Sequence, residues 1–71
     1  MKIKGIVTEY NKISGVIEDG KTKYIFTNKN IKKNNKVKKG DIVKFLPETF
    51  KTVEVKENIA TFIEKIDPNT N

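Results

Sequence analysis

The stretch Ser14–Asn28, reading S-G-V-I-E-D-G-K-T-K-Y-I-F-T-N, limits what this chain can fold into more than any other. Apolar and β-branched residues flank Asp19-Gly20, and a D-G dipeptide between such runs is the strongest short-range signal for a β-hairpin. The expected hairpin closes around Asp19-Gly20 in a type I′ turn, because Asp before Gly favours positive φ angles. Side chains alternate along a strand, so Tyr24 and Phe26 share one face and Ile25 takes the other. In a small barrel one such face fills the core and the other is open to a partner.

The rest of the chain reads as three further strand segments and their connections, which makes five strands in all. Strands are predicted over Ile3 to Tyr10, Ile13 to Glu18, Lys23 to Thr27, Ile42 to Leu46 and about Asn58 to Ile66. Gly5 inside the first implies a bend or bulge, as a tightly curved barrel needs. The polar connection from Asn28 to Lys39 has Ile31 and Val37 as anchors and room for no more than a turn of 3₁₀ helix. Pro47 is expected to end the fourth strand. Glu48 to Lys56 reads as an exposed loop with some strand character at Val53 and Val55, and Asp67 to Asn71 as a frayed tail. One long third-to-fourth connection among five strands predicts an all-β fold: a single five-stranded Greek-key barrel of OB type over residues 1–66.

Composition narrows the chemistry. A chain of 71 residues buries only about 60% of the surface its unfolded form exposes, too little for a deep catalytic cleft. With no cysteine and no histidine, thiolate nucleophiles, imidazole bases, disulfides and the usual zinc sites are excluded. No Gly-rich phosphate loop, nucleophile elbow or metal-ligand cluster is present, and Glu18-Asp19 reads as part of a turn. The expectation is a protein that is not an enzyme and that uses no metal and no cofactor. Lysine and glutamate interrupt every apolar run, so no secretory segment or membrane span is expected, and the cytoplasm is the expected location.

The net charge of +6 is concentrated: residues 29–44 hold seven lysines against Asp41 alone, and the remainder of the chain is balanced. Such a segment is either a solubilising surface or an electrostatic footprint for phosphates. Arginine is absent, so contacts from it would be point-charge attraction, poor in sequence information.

Several motifs carry a family resemblance. Gly5-Ile-Val-Thr-Glu-Tyr-Asn11 is similar to the opening Gly-x-Val-Lys-Trp-Phe-Asn of cold-shock domains. Lys12-Ile-Ser-Gly-Val-Ile17 resembles their first RNA-binding motif, Lys-Gly-Phe-Gly-Phe-Ile, and Tyr24-Ile-Phe-Thr-Asn-Lys-Asn-Ile31 resembles the second, Val-Phe-Val-His-Phe-Ser-x-Ile. Val37-Lys-Lys-Gly-Asp-Ile-Val-Lys-Phe45 and Ala60-Thr-Phe62 fall where the family opens its fourth strand and runs its last. The resemblance implies a divergent cold-shock-like domain with Tyr24, Phe26, Val43 and Phe45 directed inward. Gly-x-Val, the basic linker and Gly-Asp-x-Val also resemble bacterial translation initiation factor one, which would change the partner to structured RNA without changing the barrel.

On the binding face the chain departs from the family. Glu9 stands where the family has Trp, Ser14 and Val16 replace the two Phe of the first motif, and Ile25, Thr27 and Asn28 replace Phe, His and Phe of the second. Stacking on an aromatic contributes about 1–3 kcal/mol per base, so weak, salt-sensitive binding of single-stranded RNA or DNA is expected. Its expected contacts are Tyr10 as the remaining stacking ring, Lys12 at the motif position, Thr27 and Asn28 as hydrogen-bonding replacements, and Lys29, Lys32, Lys33 and Lys36 on phosphates. The alternative is a protein partner or homodimer formed through an outward aliphatic face of Ile6, Val16 and Ile25, with Ile13 nearby.

Overall fold

A computed structural model describes residues 1–66; the tail expected over Asp67 to Asn71 lies outside the described residues. Five strands, β1 (Ile3–Tyr10), β2 (Ser14–Asp19), β3 (Thr22–Thr27), β4 (Ile42–Lys51) and β5 (Lys56–Lys65), close into a barrel in the order β1-β2-β3-β5-β4. Neighbours run antiparallel except β3 and β5, which meet in parallel at Ile25 and Ile59. This is the five-stranded OB-type barrel that the strand count and the long connection predict.

Period-two alternation supplies the core. Val7, Ile17, Phe26, Val43, Phe45, Ala60 and Ile63 are buried, and Ile3, Tyr10, Tyr24, Ile31 and Val37 pack against them. The Tyr24 ring meets Phe45 edge-on, with centroids 4.9 Å apart, so the inward set expected on β3 and β4 is the set observed. Truncating a buried ring such as Phe26 in a core this small would cost about 3–5 kcal/mol.

Three local expectations are corrected. Asp19 pairs with Thr22, so the hairpin turn is Gly20-Lys21 and Asp19 is the last residue of β2. Positive φ falls on Gly20 (+58°) and not on Lys21, which fits a type II′ turn with glycine first rather than the type I′ turn expected at Asp19-Gly20. The irregularity of β1 lies at Thr8, between the Val7–Ile17 and Glu9–Val16 pairs, and not at Gly5. Gly5 answers a different need: a Cβ there would stand 2.6 Å from Ile17 Cγ2 and 2.9 Å from the Glu18 carbonyl oxygen.

Pro47 does not end β4. The strand continues to Lys51 and pairs with β5 down to Lys51–Lys56, so the segment expected as a loop is a hairpin arm whose turn spans residues 52–55. β1 pairs with β4 only as far as Phe45, which leaves β4 with a free edge beyond it, where a residue lacking an N–H is tolerated. Val53 and Val55 lie in the turn rather than in a strand.

The polar connection is pinned across the barrel. After a 3₁₀ turn at Asn28–Asn30, Ile31 bridges to Ile63 and the Lys32 N–H donates to the Ile63 carbonyl at 2.9 Å. Asn35 Oδ1 accepts from the Lys65 N–H at 3.0 Å. Gly40 N–H donates to the Val7 carbonyl at 2.7 Å, and the Val7 N–H donates to the Asp41 carbonyl at 3.0 Å. Ile31 and Val37 reach the core along this path, as the sequence leads one to expect.

Candidate nucleic-acid interface

The outer face of β2, β3 and β5 carries an apolar row. Val16 stands opposite Ile25 across the hairpin, and Ile25 stands beside Ile59. Ile25 is 44% exposed, a large aliphatic side chain on a face where a solvated sheet is ordinarily polar. This row is the floor of an open groove that also takes in Glu9, Tyr10, Ser14, Thr27, Asn30 and Lys39. The Tyr10 ring is half-buried and lies tilted on Phe26, centroids 5.3 Å apart and planes at 32°, so it forms a fixed wall.

The turn between β1 and β2 closes one end. Asn11 Oδ1 accepts the N–H groups of Ile13 and Ser14, both at 2.9 Å, which fixes the turn and holds Lys12 at φ +76° with its side chain in solvent. Asn28 ties that turn to β3: its N–H donates to the Ile13 carbonyl at 2.9 Å and its side-chain Nδ2 to the Lys12 carbonyl at 3.1 Å. Asn28 therefore braces the turn, whereas Thr27 lines the groove.

A second hollow adjoins the first, with Asn30 lining both. Lys29, Lys32 and Lys33 meet here with Ile31, Glu48, Thr61 and Phe62. Asn30 is itself held, its Oδ1 accepting the Thr27 N–H at 2.8 Å. Phe62 is exposed and has φ +50°. The pairing of β4 with β5 shifts between Lys44–Glu64 and Leu46–Thr61, putting an extra residue into β5 beside it. Thr61 Oγ1 lies 3.0 Å from Glu48 Oε2, so that carboxylate is engaged at the rim.

Charge is distributed unevenly over these lysines. Glu64 pairs with Lys2 and, at 3.5 Å, with Lys32. The hydrogen bond from Lys2 holds the Glu64 carboxyl below its ordinary pKa, aided by the charges of Lys2, Lys32 and Lys44 and opposed by partial burial. Among the described residues Lys29, Lys33 and Lys39 take part in no salt bridge. Lys36 is exposed in the connection and lines neither hollow.

The expected site residues thus fall into separate groups. Tyr10 and Thr27 share the groove with Val16 and Ile25; Lys29, Lys32 and Lys33 share the adjoining hollow; Lys12 and Lys36 stand apart. Ile6 is exposed but lines a different depression with Lys4, Glu18 and Ile42, and Ile13 is exposed on the β1–β2 turn. Lys39, Ile59 and Phe62 line these hollows too, and no motif in the sequence singles them out as site residues. Lys39 was legible only as one charge in a basic run, and Ile59 only as an alternation partner of Ala60.

Among the described residues no cluster of Asp and Glu side chains is arranged to hold a metal ion, and no helix is long and apolar enough to cross a membrane. Compared with protein-family models, curated proteins and solved structures, the chain matches none of them.

Proposed function

We propose that this protein is a binding module for single-stranded nucleic acid, RNA or DNA, acting in the cytoplasm with low to moderate affinity and without catalysis. One observation carries the reading: the apolar floor Val16–Ile25–Ile59, walled by the Tyr10 ring, opens through Asn30 onto Lys29, Lys32 and Lys33. A base presents a flat apolar face and its backbone presents charge, and a groove with those two surfaces side by side suits both. The resemblance to cold-shock domains supports the same reading, with aliphatic side chains where that family stacks aromatics. Without stacking on most of the floor, binding leans on lysines and discriminates little between bases. Glu9 at the groove repels phosphate and limits affinity further.

Amide-resolved NMR titration with short RNA and DNA oligonucleotides, at low and moderate salt, tests this. Saturable shifts at Val16, Ile25, Thr27, Ile59 and the lysines from 29 to 39, weakening as salt rises, are the expected result. For about three or four neutralised phosphates, the slope of log K against log salt should lie near −2 to −3. The exposure of Ile25 favours a second reading, in which the same face docks a protein or a second copy of the chain. Concentration-dependent dimerisation that is insensitive to salt, with no oligonucleotide shifts, would support that reading and remove the first.

A further inference from the structure

Phe62 stands outside the groove and has no part in the core. It is 57% exposed, so hydrophobic burial does not account for an aromatic ring at this position. Its φ of +50° is a conformation that bulky side chains avoid, whereas glycine or asparagine adopts it at little cost. Residues held in such conformations cluster at ligand-binding sites, where the surrounding structure imposes them. Here the surrounding structure is the extra residue in β5, the Ile31–Ile63 bridge and the Lys32 N–H bonded to the Ile63 carbonyl. Lys29, Lys32 and Lys33 border the same hollow.

We infer that Phe62 is a second base-stacking subsite, at which a base stacks on the exposed ring while Lys29 and Lys33 hold the adjoining phosphates. The inference rests on the single-strand reading and extends it beyond the groove. Phe62 lies three residues beyond Ile59 on β5, about 10 Å along the strand, and Asn30 lines both hollows. One extended strand therefore runs from the Val16–Ile25–Ile59 floor past Asn30 to Phe62. The ring supplies, on β5, an aromatic surface that the outer faces of β2 and β3 lack. Lys29 and Lys33 are the better phosphate partners because Lys32 already faces Glu64.

The test compares wild type, Phe62→Gly and Phe62→Trp by fluorescence anisotropy with labelled oligothymidylates of about three and about eight nucleotides. Wild type is expected to bind the longer probe more tightly than Phe62→Gly by roughly fivefold to a hundredfold, the range of one base–aromatic stack. Both proteins should bind the short probe alike, since it occupies the groove alone. The chain has no tryptophan, so the emission of Phe62→Trp, excited at wavelengths that tyrosine does not absorb, reports on this position only, and the longer probe should quench it with the midpoint seen by anisotropy. Equal affinity of wild type and Phe62→Gly for the longer probe, or unchanged emission of Phe62→Trp during saturable binding, overturns the subsite and leaves the groove reading intact. Failure of wild type to bind either probe overturns both. Should Phe62→Gly not fold, the emission of Phe62→Trp decides the question alone.

Discussion

Phe62 and Gly15 show opposite uses of the backbone. Phe62 keeps a large side chain at φ +50°, a choice costing on the order of 1–3 kcal/mol. Phe62→Gly removes that strain but adds roughly 0.5–1 kcal/mol of unfolded-chain entropy, so urea unfolding should find the variant as stable as wild type or up to about 2 kcal/mol more stable. A variant that is clearly less stable would make the ring a packing element. Gly15 is the reverse case. A Cβ there would stand 2.2 Å from the Glu9 carbonyl oxygen and 2.7 Å from Phe26 Cζ, so Gly15→Ala must push β2 away from β1 or displace the core ring. Overpacking of this kind costs about 1–3 kcal/mol, readable as a lower urea midpoint. Neither residue's role is legible in the linear pattern. Phe62 reads as one more apolar residue on an alternating strand, and its exposure follows from a register shift between β4 and β5 that alternation does not encode.

At the scale of elements, alternation is informative where a strand has a core to alternate against. Val43 and Phe45 alternate with exposed Ile42 and Lys44 and take the inward places that the resemblance implies, as Phe26 does, whereas on β2 Val16 and Ile17 are both apolar and alternation alone does not say which of them is buried. Residues 48–57 are all exposed, so the β4–β5 arm has no buried row, and proline, glutamate, threonine and lysine there read as loop. The arm is held by cross-strand pairing and by its turn, in which the Thr52 N–H donates to the Val55 carbonyl at 2.7 Å and the Val55 N–H to Thr52 Oγ1 at 3.0 Å. An element held by solvent-exposed hydrogen bonds opens locally at low cost. Native-state hydrogen exchange is therefore expected to show amides of residues 50–57 exchanging much faster than those of Val43, Phe45, Ala60 and Ile63. Uniform protection along both strands would show that the arm is as stable as the barrel.

Across the whole molecule, one carboxylate joins distant parts of the chain. Glu64 on β5 faces Lys2 at the N-terminus, Lys32 in the connection and Lys44 on β4. A carboxyl whose folded-state pKa is lowered contributes stability that is full above its ordinary value and is lost as pH falls through the depressed one. Glu64→Gln should therefore lower the thermal midpoint at neutral pH and leave it close to that of wild type in strong acid. Equal differences at every pH would assign the effect to packing. The clustering of lysines in residues 29–44 was plain from the sequence, whereas their division between Glu64, the Phe62 hollow and open solvent depends on how the connection crosses β5.

The seam between β1 and β4 has a consequence in time. The β1-β2-β3 meander needs only short loops and can form early, but the ring shuts only when the first strand finds the fourth and the third finds the fifth, contacts that span much of the sequence. Ile59 stands beside Ile25 only where β3 and β5 are paired, so the groove floor does not exist in a chain whose ring is open. A strand that needs the complete floor would select the closed ring alone and, by mass action, hold it closed longer.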